Sequence, residues 1–520
     1  MAIRQLRGSH SGENQAEIII EVIKDYDLGS RIGYFVTDNA YNNDTAVEIV
    51  IAHFFRSWTE KKRRSRRLRC LGHVINLSAK AFLYGKEFDA FERDIENVRE
   101  HSELLKELNI WRKRGPVGKL HNIITFICRS PQRRDKFADI KQFTDDDQED
   151  FNHLKLVVDN ATRWNSLYLM TERALKLRDR IDRFCIDNAE FMHGSSTKKA
   201  QTDDELAHLL KNDILSGDDW LALAEILSIL KPFYDLTKRA EGDRGVLSDY
   251  LTTLNKLIVH VREKRDDLVL RDSSAHLATP ATAHLRVCIV NCWTKLDEYF
   301  AIVDNTPAHY ASIVTNPSMK WVYFEHKWRH ASTWQDATNA QNWLPGGKAA
   351  LESLWEEYRE IPVPVDVASE SVSGAKRARS PTEFELDTDM TALYGPDQEE
   401  DPLQVWNSAY PFRLEELETL PEFWIRQAKQ KSTYRLAQMG LDMASIPAMS
   451  SDCERVFSQG KLLITGQRNR LKADIIEATQ CLRMWMIMDR KKLGRWKVKG
   501  GWATPMELRI NNEDGGVGGP

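Results

Sequence analysis

No stretch of this 520-residue chain approaches the ~20 consecutive apolar residues that a membrane-spanning helix needs, so the sequence offers no bilayer crossing. Cysteine is scarce and its spacing unpaired. The seven stand at 70, 128, 185, 288, 292, 453 and 481, an odd number without a framework, which excludes a disulfide-stapled scaffold and points to a reducing compartment. Neither sign of charge dominates: lysine and arginine number 73, aspartate and glutamate 77, and the formal net charge is −4. Any contact with nucleic acid must therefore come from local patches. The first residues lack the apolar core of a signal peptide, and no internal repeat is visible. These absences lead to the expectation of an intracellular protein with neither a membrane partner nor a small-molecule substrate, and the basic runs make the nucleus its expected location.

What is present is ordinary globular material, 42% hydrophobic and 29% charged, in a length that suits roughly two to four lobes. Charge is uneven along it. Lys61, Lys62, Arg63, Arg64, Arg66 and Arg67 form a dense basic run, Asp145 to Asp150 an acidic one, and Arg483 to Lys499 a basic stretch with interleaved tryptophans.

The first ninety residues alternate between helix and strand. Ile18, Ile19, Val22 and Ile23 predict a helix over Glu13–Asp27, with Gly29 placed to end it. A buried strand over Arg31–Thr37, a helix over Asp44–Trp58, a strand over Leu68–Leu71 and a helix over His73–Tyr84 come next, the pattern of a helix-covered parallel or mixed sheet. Beyond Trp164, apolar residues step by three and four: Leu167, Met170, Ala174, Leu177, Ile181 and Phe184, then Leu223 to Tyr234, Leu247 to Val261 and Leu285 to Phe300. They predict a helical domain. Between Pro362 and Pro402 apolar residues thin out among Pro, Ser and acidic residues, which reads as a disordered linker. Its Lys376-Arg377-Ala378-Arg379 cluster is either an import signal or a solvated loop. Order returns at Leu403, with an aromatic stretch and then helices over Tyr434–Met443, Cys453–Leu463 and Ala473–Met488.

Four motifs stand out. Tyr34-Phe-Val-Thr-Asp38-Asn39-Ala is an apolar strand that ends in a carboxylate; Cys70-Leu-Gly-His73 is the second; then come Asp159-Asn160-Ala-Thr-Arg163-Trp164 and, far downstream, Ser450-Ser-Asp-Cys-Glu454-Arg455-Val-Phe457. By residue type alone, Asp38 is a turn or helix-capping residue or a metal ligand. Glu454 with Ser451 fits a capping box. Cys70 and His73 are two ligands where a structural zinc site takes four, so packing competes with metal. Trp164 is either core or a surface on which an unpaired base stacks, Arg163 a phosphate contact or a cover for the helix start, and the Lys61 to Arg67 run a phosphate-contacting loop, an import signal or a solvated surface.

In that order the motifs resemble the hAT family of DDE transposases over nearly the whole chain. The resemblance implies an α/β plus all-α fold: an incomplete ribonuclease-H-like mixed sheet, a large helical insertion domain and a helical C-terminal dimerisation segment. The implied organisation is a partial ribonuclease-H-like core over residues 1–163, the helical insertion over 164–361, a disordered linker over 362–402, the dimerisation region over 403–490 and a basic tail over 491–520. Asp38 takes the place of the second acidic residue of the catalytic triad and Glu454 that of the last, both as magnesium ligands. Arg163 and Trp164 match the pair that meets a flipped base at a transposon end. DNA binding is assigned to these two and to the basic run, and self-association to Trp424, Tyr434, Ile446, Phe457, Leu482 and Trp485, whose segment is richer in apolar side chains than a few short helices can bury among themselves.

The resemblance breaks at the first triad residue. The three strands that would carry it have no counterpart before Asp38; Met1 to Gly12 holds no acidic residue, and Asp25 and Asp27 sit at a helix end. The family's BED-type zinc finger has no counterpart either. The sequence thus leads to the expectation of a transposase-derived protein that keeps dimerisation and nucleic-acid binding but is catalytically incomplete, leaning away from an enzyme, with magnesium relevant only to a complete core and zinc not expected. An active transposase whose start lies upstream of Met1, and a domesticated DNA-binding regulator, are the alternatives.

Overall fold

Ser11 opens the first helix and Asp27 lies just past its end. The computed structural model describes residues 4–6, 8–85, 88–100, 104–141, 151–159, 164–187, 211–241, 245–273, 280–328, 337–365, 367, 401–415, 418–450, 453, 455–457, 460, 463, 471–493, 497–498 and 501–502. In it the Ser11 hydroxyl accepts from Asn14 N at 3.4 Å at the head of α1 (Gly12–Asp25), and Asp27 takes φ +50° beyond the last turn. Aspartate is among the L residues that tolerate this left-handed backbone. The helix therefore stops before the expected Asp27, and Gly29 opens a short 3-10 turn, Gly29–Arg31, instead of capping α1.

The chain divides into two compact units, one made of Met1–Leu68 with Ser450–Pro520 and the other of Arg69–Met449. In the first, α1 packs on α2 (Tyr41–Phe54): Ala16 and Ile23 meet Ala46 and Val50, edged by Ile19, Ile20, Phe35 and Phe54. The approach is close, since a Cβ on Gly12 would stand 2.6 Å from Asn42 O and from Thr45 Cβ. Strand β1 (Phe35–Thr37) pairs in parallel with β2 (Arg67–Arg69), Phe35 N donating to Arg66 O at 2.9 Å. Of the parallel or mixed arrangements expected from the sequence, the described residues show this parallel pair. Among the described residues it amounts to two strands of 3 residues each, because the Gly29–Arg31 turn takes the beginning of the first predicted strand and Cys70 already caps the helix after the second.

The second unit is helical, apart from an isolated antiparallel bridge between Val246 and Pro447. The helix Leu71–Tyr84 lies along Pro280–Ala301, which also packs on Ser248–Ser273, and Trp164–Lys176 lies on Gly217–Ala240. The periodicity of the sequence marks the buried faces. Leu167, Met170, Ala174, Leu177, Ile181 and Phe184 are buried, as are Leu247, Leu251, Leu254, Ile258 and Val261, and Leu285, Ile289, Cys292, Leu296 and Phe300. Burying one such side chain contributes roughly 1.5–3 kcal/mol, more than the tenths of a kcal/mol separating ordinary helix propensities, so packing fixes these helices.

The C-terminal part of this unit is built from three helices. Asp401 caps Pro402–Ser408, its Oδ1 accepting from Leu403 N at 2.8 Å; Thr419 and Glu422 form a capping box on Leu420–Gln427; and Tyr434–Ser445 packs against Ala308–Val314 and Ala337–Arg359. The last described helix, Ala473–Leu493, belongs to the first unit. No helix among the described residues is long and apolar enough to cross a membrane. Nearly all of the expected linker, with Lys376, Arg377 and Arg379, lies outside the described residues.

Candidate functional site

β1 delivers Asp38 to the start of α2. The residue is exposed, and its Oδ1 accepts from Ala40 N at 3.0 Å and from Asn43 Nδ2 at 2.5 Å, so the carboxylate closes the turn that leads into the helix. Arg67 approaches from β2. Its Nη2 donates to Asp38 O at 2.7 Å and its Nε forms an ion pair with Asp44 Oδ1 at 2.7 Å. A two-metal phosphoryl-transfer site needs several carboxylate oxygens converging on hard ions. Among the described residues no three His, Cys, Asp or Glu side chains converge in that way. Glu454 lies outside the described residues, and a guanidinium already supplies positive charge at this strand end. The described residues do not assemble a magnesium site.

The basic run folds back on aromatic rings. Thr59 Oγ1 accepts from Lys62 N at 3.3 Å and caps the short helix α3 (Glu60–Arg64). Lys62 Nζ stands 4.6 Å from the Trp58 ring centroid, and the Arg66 guanidinium lies 4.8 Å from Tyr34 and 4.9 Å from Trp58. Arg63 Nη1 donates to Trp58 O at 2.6 Å. Arg66 is buried, as is nearly all of the Arg67 side chain. Within the run, Lys61 and Arg64 are the exposed members, Arg64 beside Glu60 one turn earlier.

Cys70 is buried at the N-cap of Leu71–Tyr84, and His73 is half-buried in the first turn. Between them the helix start receives the segment Pro447–Met449: Leu71 N donates to Ala448 O at 3.0 Å, and a Cβ on Gly72 would stand 2.8 Å from Met449 Cε. The Cys-Leu-Gly-His motif is therefore a seat for that segment.

The Asp159 carboxylate is buried. Its Oδ1 lies 2.5 Å from His121 Nδ1, and the His121 ring stacks on Trp111 with centroids 3.7 Å apart. His121 was not singled out from the sequence; its signal was an imidazole on the apolar face of Pro116–Arg129, among Leu120, Ile124 and Ile127. Trp164 is buried, edge-on to Tyr168 and Phe233 with centroids 6.4 Å away in each case. Of the two readings of this residue, the structure places it in the core. Arg163 lies outside the described residues.

The residues assigned to self-association separate. Trp424 and Ile446 are 0% and 7% exposed within the second unit, and Tyr434 is half-buried. Trp424 Nε1 donates to Thr315 O at 3.1 Å, and the indole lies so close over Gly440 that a Cβ there would be 2.3 Å from the ring. Part of the apolar surplus of this segment is thus taken up by the helical unit. Phe457 and Leu482 are 71% and 54% exposed, while the Trp485 side chain lies outside the described residues. Along Ala473–Leu493, Leu482 aligns with Ile475 and Met486, also exposed, at intervals of seven and four that keep the three on one side of the helix.

Comparison with known proteins gives two family matches. Residues 68–212 match the ZBED1 RNase-like helical domain, and residues 398–486 match the hAT family C-terminal dimerisation region. The candidate transcriptional regulator tpeD of Talaromyces stipitatus is 25% identical over 278 residues, 52% of this chain and 29% of that protein. The zinc finger BED domain-containing protein RICESLEEPER 2 of Oryza sativa subsp. japonica is 23% identical over 391 residues, 72% of this chain and 48% of that protein. The chain thus spans about a third to a half of these curated relatives.

Proposed function

We propose that this chain, whose two family matches and curated relatives are consistent with an hAT family protein, acts as a self-associating, nucleic-acid-binding nuclear regulator rather than as a strand-cleaving transposase. One observation carries the reading: within the segment matched to the family's dimerisation region, the helix Ala473–Leu493 presents Ile475, Leu482 and Met486 to solvent on one side. Exposed apolar side chains aligned on one side of a helix are what a second helix covers. Phe457 adds an exposed ring in the same segment. The regulatory part of the reading draws on the name of the Talaromyces relative, and the non-catalytic part on the engagement of Asp38 in its turn and of Arg67 beside it.

Sedimentation of the full chain at micromolar concentration tests self-association. The wild type is expected to be a dimer or larger, and Leu482→Asp with Met486→Asp to raise the dissociation constant at least tenfold. A wild type that stays monomeric at tens of micromolar refutes it. Duplex binding is expected to fall steeply between 50 and 200 mM salt, about as counterion release demands. Metal-dependent cleavage of a duplex, lost on Asp38→Asn, would favour the transposase reading instead.

A further inference from the structure

The helix Pro280–Ala301 packs on Leu71–Tyr84 and on Ser248–Ser273, and near its start it carries two metal-ligating side chains one turn apart. His284 is exposed, Cys288 is half-buried, and His284 Nε2 lies 3.6 Å from Cys288 Sγ. We infer that this pair is half of a zinc site, completed by the same pair from a second copy of the chain. The surface belongs to the helical unit, so the inference goes beyond the self-association assigned to Ala473–Leu493, which belongs to the other unit.

Residues four apart on a helix are neighbours on its surface, which brings an imidazole and a thiol within reach of one ion. Zinc takes sulfur at about 2.3 Å and nitrogen at about 2.0–2.1 Å in a tetrahedron, so the edge between the two donors is about 3.5 Å. The observed 3.6 Å agrees with that edge. Both side chains also line a small cavity of about 50 Å³ with Phe82, Val117 and Leu285, so neither is packed on every side. Arg114 lines the same cavity, but its guanidinium is held over Phe91, 4.4 Å from the ring centroid, and donates to Tyr84 O at 2.8 Å. Burial pushes the Cys288 thiol up to about 11, which makes it a poor nucleophile at neutral pH. A metal ion, which displaces the thiol proton as it binds, suits such a group better than an electrophile does.

A structural zinc site takes four protein ligands, and one copy supplies two. Cys292, one turn further on, is buried, and among the described residues no three His, Cys, Asp or Glu side chains converge on an ion. A two-fold contact presents the same patch twice, so two copies would bring two imidazoles and two thiolates to one zinc. The flank of the pair suits such a contact. Val287 is 59% and Val290 47% exposed, and steps of three place Val287 beside His284 and Val290 beside Val287. Covering these valines would add apolar burial to the metal bonds.

Zinc uptake and sedimentation of the full chain test the inference together. Wild type stripped with EDTA is expected to take up about half an equivalent of zinc per chain at this site and to associate at least tenfold more tightly in micromolar zinc than in EDTA. Cobalt in place of zinc is expected to show the thiolate charge-transfer absorption of a tetrahedral site. His284→Ala, which removes an exposed side chain, and Cys288→Ser are each expected to abolish the zinc effect while leaving Tm and association in EDTA unchanged. Leu482→Asp with Met486→Asp is expected to keep the zinc effect and to lose association in EDTA. No zinc uptake by the wild type, uptake that survives both single substitutions, or uptake without tighter association overturns the inference. A wild type that is monomeric in EDTA yet joined by zinc refutes the self-association reading and leaves the zinc site standing.

Discussion

His121 Nδ1 stands 2.5 Å from Asp159 Oδ1, with the two side chains 4% and 1% exposed and the imidazole stacked on Trp111. The pair ties the last described residue before the Arg163-Trp164 motif to the middle of Pro116–Arg129. His121→Ala would leave a buried carboxylate without its partner, and removing one half of a buried pair of this kind costs about 3–5 kcal/mol. Urea unfolding of the variant is expected to show a loss in that range. A loss below about 1 kcal/mol would show that water reaches Asp159.

His309 supplies a pH dependence. It is buried against Tyr250, with ring centroids 4.5 Å apart, its Nδ1 has no hydrogen-bond partner among the described residues, and burial pushes its pKa down to about 3. The folded state therefore holds it neutral while the unfolded chain takes up a proton below about pH 6.5. Stability from this group is complete above that value and declines as pH falls toward 3, by roughly 1.4 kcal/mol per unit. The urea midpoint of the wild type is expected to drop more between pH 6.5 and 4.5 than that of His309→Leu; parallel curves would contradict this.

Two glycines should respond with opposite signs. Gly440→Ala would press a Cβ to 2.3 Å from the Trp424 ring, whereas Gly346, inside Ala337–Arg359, has open space at that position. Overpacking of this kind costs about 1–3 kcal/mol, while relieving a helical glycine contributes about 0.5–1 kcal/mol. Thermal unfolding is expected to shift down for the first substitution and up for the second.

The basic run should divide between binding and stability. Lys61→Ala with Arg64→Ala is expected to weaken duplex binding and to reduce the slope of log affinity against log salt by up to about 2, with little change in Tm. Arg66→Ala is expected to lower stability by about 1 kcal/mol or more, since its guanidinium lies between Tyr34 and Trp58. Equal losses of affinity with unchanged Tm for both variants would contradict the division.

How much of this was legible in the sequence differs by kind of signal. The helical unit was readable because Leu247 to Val261 and Leu285 to Phe300 each repeat often enough for the 3.6-residue period to show. The sheet was not: Ile32 through Val36 are apolar enough for a long strand, but the backbone turn at Gly29–Arg31 and the cap at Cys70 are local events that hydropathy does not record. Asp38 was legible as a strand-end carboxylate, and its engagement by Ala40 and Asn43 was among the readings the turn sequence already allowed. The orientation of Arg63, Arg66 and Arg67 was hidden, because a run of cations carries no mark of which members lie over rings. Likewise, nothing in the wealth of Trp and Leu after residue 403 distinguished the side chains that are buried from those that are exposed.

The first unit is discontinuous, its two pieces separated in the chain by everything from Arg69 to Met449. A ribosome adding about 5–20 residues per second would release α1 and α2 on the order of tens of seconds before Ala473–Leu493 exists. During that interval the helical unit can fold by itself, since it is one continuous stretch from Arg69 to Met449. The unit holding Asp38 has to be completed last, from both ends of the chain, and truncating the C-terminus should therefore unsettle helices made hundreds of residues earlier.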